Sequence, residues 1–319
     1  MKTVGPALAE GTALEARPSS GGNPVVQVLK ERRSALAGFL IVGFFVFMGV
    51  FGPALAPYSW TQRSGPVYAP PSSQHWLGTD DSGVDVLSEM LYGGRTSLTV
   101  GFAAAFVAMI VGGGIGIVAG YAGGGTDVAL MRTTDYFLVI PDLVLMIVVA
   151  TVFGPSLSHV ILVIGLLLWT VTARIVRSQV KSIRERVYVR RARSLGASHR
   201  RIVVQHILPQ VAPLLIATTV LTIAYAIFDE SALAFLGVGV PGVSWGTMLE
   251  RAFARTAMTQ GAWWAFVPPG LAIGLVVVGC YLMGQAIEDA LNPRLRVAHL
   301  SIKTWRFRAP RKVTEDGST

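Results

Sequence analysis

Charge is what this sequence has least of. Only 14% of its 319 residues are Asp, Glu, Lys or Arg, where a soluble globular domain carries about 25%. That shortage excludes a soluble enzyme. It equally excludes a disordered chain, which stays unfolded because it is polar and highly charged. Cysteine is almost missing: Cys280 alone can close no internal bridge and has no spaced partners for a zinc site. A disulfide scaffold is therefore excluded as well. No G-x-x-x-x-G-K-[ST] phosphate loop occurs, so ATP is not expected to be bound or hydrolysed on this chain. H-E-x-x-H and G-x-S-x-G are absent too, which counts against an intramembrane enzyme. His75, His159, His199, His206 and His299 are scattered, with no two placed as joint ligands of a metal. No internal repeat is evident.

Long apolar runs are what is there. Hydrophobic residues make up 52% of the chain and mean hydropathy is +0.55. They fall in blocks long enough to cross a hydrocarbon core of ~30 Å at about 1.5 Å per residue. Six blocks qualify, at roughly 35–55, 97–121, 136–153, 157–172, 211–228 and 264–287. The expected fold is an all-α membrane protein with six transmembrane helices. The first block ends without a small-residue cleavage site, so it reads as a retained helix and not as a signal peptide. The chain divides into a polar lead (1–34), a first span (35–57), a loop (58–96), a five-span core (97–290) and a basic tail (291–319). The first twenty-odd residues and the last fifteen or so are expected to be disordered.

The net charge of +9 raises nucleic acid as a partner, but the basic residues are sorted by segment. Of the 27, only Arg63, Arg95, Arg251 and Arg255 lie in the segments 58–96 and 237–263; the rest fall in the lead, the tail or the intervening loops. An excess of Lys and Arg marks the cytoplasmic side. Both termini and the loop 174–210 are therefore expected in the cytoplasm of an inner-membrane protein, and nucleic acid loses its support. Trp245, Trp263 and Trp264 lie at the edge of a span and read as interface anchors.

Three features near the spans carry chemistry. Gly114-Ile-Gly116-Ile-Val-Ala119 matches a dinucleotide fingerprint in form. Inside a membrane helix, however, such glycines are expected to let neighbouring helices approach. Pro141 frees a backbone carbonyl, so a kink beside Asp142 is expected to face a wet cavity. Charged groups in a membrane default to function, which makes Pro141, Asp142 and Glu230 the candidates for a transport path.

The loop after the fourth span divides into two short helices. Tyr188, Ala192 and Leu195 fall at i, i+4 and i+7 and form one apolar stripe, with Arg190, Arg191 and Arg193 off it. Gly196 suits the left-handed position that ends a helix. After Ala197, Ser198 can cap the next one. Docking into a groove on a protein partner and lying on anionic lipid both fit this pattern.

Arg190-Arg191-Ala192, Gly196, Ile202 and His206-Ile207-Leu208-Pro209 resemble the "EAA" segment of permease subunits in binding-protein-dependent ATP-binding-cassette importers. Arginines replace that motif's leading Glu and first Ala. The run His75-Trp-Leu-Gly78-Thr79-Asp80-Asp81-Ser-Gly83-Val-Asp85-Val-Leu-Ser88 is similar to a signature of the peptide and nickel branch, with Val84 in place of its arginine. So are the runs from Glu230 to Gly239 and from Ser244 to Leu249, Met131-Arg132 with Asp135, and the ending from Asp289 to Arg294. The resemblance implies a five-helix core wrapped by the first span, as in the second-permease, C-type subunit. It implies a second permease, cytoplasmic ATPase subunits that hold ATP and magnesium, and an extracytoplasmic binding protein. Residues 188–198 would then be the coupling helix and short peptides the cargo, with no cofactor on this chain. A transporter driven by an ion gradient is the rival; it needs discontinuous helices in related halves, and one proline-broken span is all that is found.

Overall fold

The computed structural model describes residues 33–154 and 156–291. Residues 1–32 of the polar lead and 292–319 of the basic tail, with the Asn292-Pro293-Arg294 ending, lie outside the described residues, as do the expectations that rest on them. In chain order the elements are α1 (Arg33–Leu55), α2 (Val86–Ala122), α3 (Gly124–Val139), α4 (Asp142–Phe153), α5 (Leu157–Arg184), α6 (Val187–Ser194) and α7 (His199–Ile202). A π-helical turn (Val203–Ile207), α8 (Leu208–Phe235), α9 (Trp245–Ala254), a 3-10 turn (Trp263–Ala265) and α10 (Val267–Leu291) follow. Five runs are long and apolar enough to cross a membrane, and α3 with α4 make a sixth if counted as one bent span.

The expected spans are all present, and their departures have local causes. The second begins at Val86, inside the segment read as loop, because Asp85 caps it: its carboxylate accepts from Ser88 N at 2.8 Å. The third is broken, with α3 and α4 meeting at 85°. Ile140 and Pro141 are extended there, as expected where a proline disfavours helix at the residue before it. Pro209 and Pro213 withhold their amides from the carbonyls four residues back, and the helix widens into the π turn just before the first of them.

The glycines of α2 do what membrane packing asks. Gly112, Gly116 and Gly120 lie on one stripe against Trp169, Ala173, Val176 and Val180 of α5, while Gly114 faces open space. A Cβ at Gly116 would sit 2.7 Å from the Ala173 carbonyl oxygen. Gly116→Val is expected to force α2 and α5 apart at a cost of ~1–3 kcal/mol. The check is thermal denaturation in detergent; an unchanged midpoint would refute the close approach.

Candidate functional site

The arginine-rich loop folds against the ends of α2, α5 and α8. Val189, Ile202 and Ile207 bury beside Val176, Val180, Ile183 and Val211. The periodicity is helical as expected, but the face is turned. Val189 is the residue sealed against the body, Ala192 is half-buried, and Tyr188 and Leu195 are exposed. The stripe expected to dock as one is therefore split, because Val189 is the better plug for the hydrophobic notch. The outward face is a shallow groove of about 520 Å³ lined by Val187, Arg190, Arg191, Ser194 and Leu195. Leu195 is 88% exposed.

The turn between the two short helices is as read. Gly196 has φ 81°. Ala197 N donates to Ala192 O and Gly196 N to Arg193 O, the paired bonds that close a helix on a left-handed residue. Ser198 Oγ then accepts from Arg201 N. Further contacts hold the loop in place. Tyr121 Oη and His199 Nδ1 share a hydrogen bond of 2.8 Å, Arg193 lies over the Tyr121 ring, and Gln210 donates to Tyr188 Oη.

Not every arginine of this region is available to a partner. Arg174 pairs with Asp135, Arg177 and Lys181 pair with Asp127, and Arg184 donates to the Gly120 and Tyr121 carbonyls. These belong to the last turns of α5. Arg190 and Arg191 have no ion pair among the described residues, and both are exposed.

The opposite pole gathers both Gly/Pro-rich segments into one knot. His75 bonds Asp85 at 3.0 Å, and Trp264 Nε1 donates to Thr79 O at 3.1 Å. Asp80 accepts from the amides of Ser82 and Val84. Arg251 of α9 reaches Glu89 at 2.8 Å and Asp80 at 3.4 Å. Burial pushes the Asp80 carboxyl above its ordinary value, against the pull of those amides and of Arg251. The signature residues of the 75–88 run thus act on one another and on α9. Sequence spacing cannot show that, because Arg251 lies far along the chain.

Tryptophan placement corrects the expectation of interface anchors. Trp245 is fully buried and Trp264 nearly so; Trp263 alone of the three is half-exposed. Trp245 Nε1 donates to Met90 O at 3.1 Å and its backbone N to Ser97 Oγ, which in turn donates to Glu230 Oε2 at 2.9 Å. Glu230 is wholly buried at this junction of α2, α8 and α9. Its Oε2 accepts from Ser97 Oγ and Ser231 Oγ, and its buried Oε1 has no hydrogen-bond partner among the described residues. Asp142 is separate from it: exposed, it opens α4 directly after the Pro141 bend.

Comparison with known proteins agrees with this architecture. Residues 112–297 match the family model for the binding-protein-dependent transport system inner membrane component. Residues 25–71 match the N-terminal transmembrane domain of oligopeptide transport permease C. The chain is 36% identical over 273 residues to a dipeptide transport system permease protein, DppC, of Alkalihalophilus pseudofirmus, covering 84% of this chain and 88% of the relative. It is 34% identical over 278 residues to the oligopeptide transport system permease protein OppC of Mycobacterium bovis, covering 85% and 94%. It is 36% identical over 289 residues to a putative peptide transport system permease of Brucella suis, covering 88% and 95%. An ion-gradient transporter and an enzyme are both set aside by this result. The chain belongs to the family of inner membrane components of binding-protein-dependent transport systems, as a multi-pass permease of the type I fold in an ATP-driven importer.

Proposed function

We propose that this permease carries short peptides across the inner membrane as one half of a two-permease assembly, with both termini and the loop 174–210 in the cytoplasm. The relatives named for dipeptides and oligopeptides support the cargo, and the sorting of basic residues supports the orientation. Cytoplasmic ATPase subunits supply ATP and magnesium, and an extracytoplasmic binding protein delivers the peptide. The coupling contact is residues 188–198: Tyr188, Arg190, Arg191, Ala192, Arg193, Leu195, Gly196, Ala197 and Ser198.

One observation carries this reading. A loop otherwise sealed to its own body by Val189 leaves Leu195 and two unpaired arginines pointing outward. A protein groove with acidic walls and an apolar floor satisfies both at once. ATP closes the ATPase pair, the groove moves the short helix, and the attached spans rock. Only a difference in how each end state meets the ATP-bound pair can drive that change. The path runs past the Pro141 bend and Asp142, and Glu230 joins it only when the junction of α8 and α9 opens.

The test is Gly196→Val and Ala192→Glu in the reconstituted complex. Valine at φ 81° stores roughly 1–3 kcal/mol of backbone strain, and glutamate at the half-buried Ala192 lifts the helix off its seat. Both variants are expected to lose peptide-stimulated ATP hydrolysis. Normal assembly and normal stimulation in both would contradict the coupling role.

A further inference from the structure

We propose that a groove between α1 and α2, at the tryptophan-rich pole, is a glycerophospholipid site, with the lipid phosphate on Arg95 and an acyl chain along the apolar wall. The groove measures about 310 Å³, and apart from Arg95 and Thr99 its lining is apolar: Val46, Gly49, Val50, Leu98 and Phe102. Gly49 keeps it open, since a Cβ there would lie 2.7 Å from Leu98 Cδ1. Val46, Val50 and Phe102 present their side chains outward from two membrane-spanning helices. An acyl chain matches such a wall.

Arg95 makes the groove more than a seam. It is exposed, and among the described residues its guanidinium has no hydrogen bond or ion pair. Three acids of the same pole are already engaged, Asp80 and Glu89 by Arg251 and Asp81 by Arg255. Gly49, which the groove places level with it, lies six residues before the end of α1, about 9 Å at 1.5 Å per residue. At that depth the side chain sits just inside the apolar boundary, where a free cation is costly and an arginine reaches back toward headgroups. A phosphate diester offers two non-bridging oxygens, the two-pronged acceptor that a planar guanidinium fits. One ligand thereby meets both halves of the site, phosphate at the top and hydrocarbon below.

The experiment uses the assembled importer in phosphatidylcholine nanodiscs carrying a trace of phosphatidylglycerol with a photoactivatable acyl chain. Label is expected in peptides containing residues 46–50 and 98–102. Arg95→Gln is expected to lower that labelling by about tenfold, the loss typical of one charge-assisted hydrogen bond. Arg95→Lys keeps part of it. Val46→Trp, which fills the groove without touching the charge, removes the label at equal expression and equal transport. Labelling unchanged by both Arg95→Gln and Val46→Trp would overturn the proposal. So would a cross-link from this groove to a segment of the second permease in the intact complex.

Discussion

Trp245→Ala is expected to cost roughly 3–5 kcal/mol of stability, the range for emptying a buried tryptophan site. The ring is wholly buried, meets Phe45 edge-on at 5.5 Å between centroids, and lies against Gly94 so closely that a Cβ there would be 3.0 Å from it. Alanine leaves a void that neighbours on three helices cannot close. Trp245→Phe keeps most of the packing and loses the bond to Met90 O, so about 1 kcal/mol is expected. Thermal and urea denaturation in a fixed detergent would read both. An alanine variant as stable as the parent would mean that the knot holds nothing together.

Arg251→Ala is the second large effect. Glu89 and Asp80 have side chains only 2% and 8% exposed, and Arg251, itself 31% exposed, bridges them. Removing one partner of a buried pair typically costs ~3–5 kcal/mol because the other charge stays behind. The part-exposed arginine places this case near the lower end. Glu89→Gln added to Arg251→Ala is expected to recover part of the loss, and a double-mutant cycle isolates the coupling. The pH dependence has a definite sign. Asp80 is held above its ordinary 3.8 by burial, and losing the arginine raises it further. A group whose folded value is raised adds stability when protonated and loses that contribution as pH rises. The Arg251→Ala defect should therefore shrink as pH falls toward 3.8 and be largest well above it. A defect independent of pH, with no recovery in the double variant, would show that the bridge is incidental.

Much of the fold was legible because its causes are local. Apolar block length announces each span, Pro141 announces the break, and Gly196 with Ser198 announces the hinge between short helices. Where the reading failed, the cause was distant in sequence. Val189 lies one position off the stripe of Tyr188, Ala192 and Leu195, so periodicity does not mark it; the notch that receives it is built from α2, α5 and α8. Trp245 resembles an interface anchor by position, and only the approach of Met90 and Ser97 of α2 shows it to be core. Glu230 reads in the sequence as a charge near a membrane. What decides its environment is Ser97, 133 residues away.

The run His199–Phe235 is one unbroken rod of 37 residues, about 55 Å at 1.5 Å per residue. Its lower tip carries the arginine turn and its upper tip is tied through Ser97 to α2 and α9. Such a rod is a lever. A sideways push of a few ångströms on the lower tip swings the upper one the other way about whatever grips the middle. In the proposed coupling no relay of side chains is needed to carry the message across the bilayer; the five-residue π turn and Pro213 are the soft joints where its stroke could be lost.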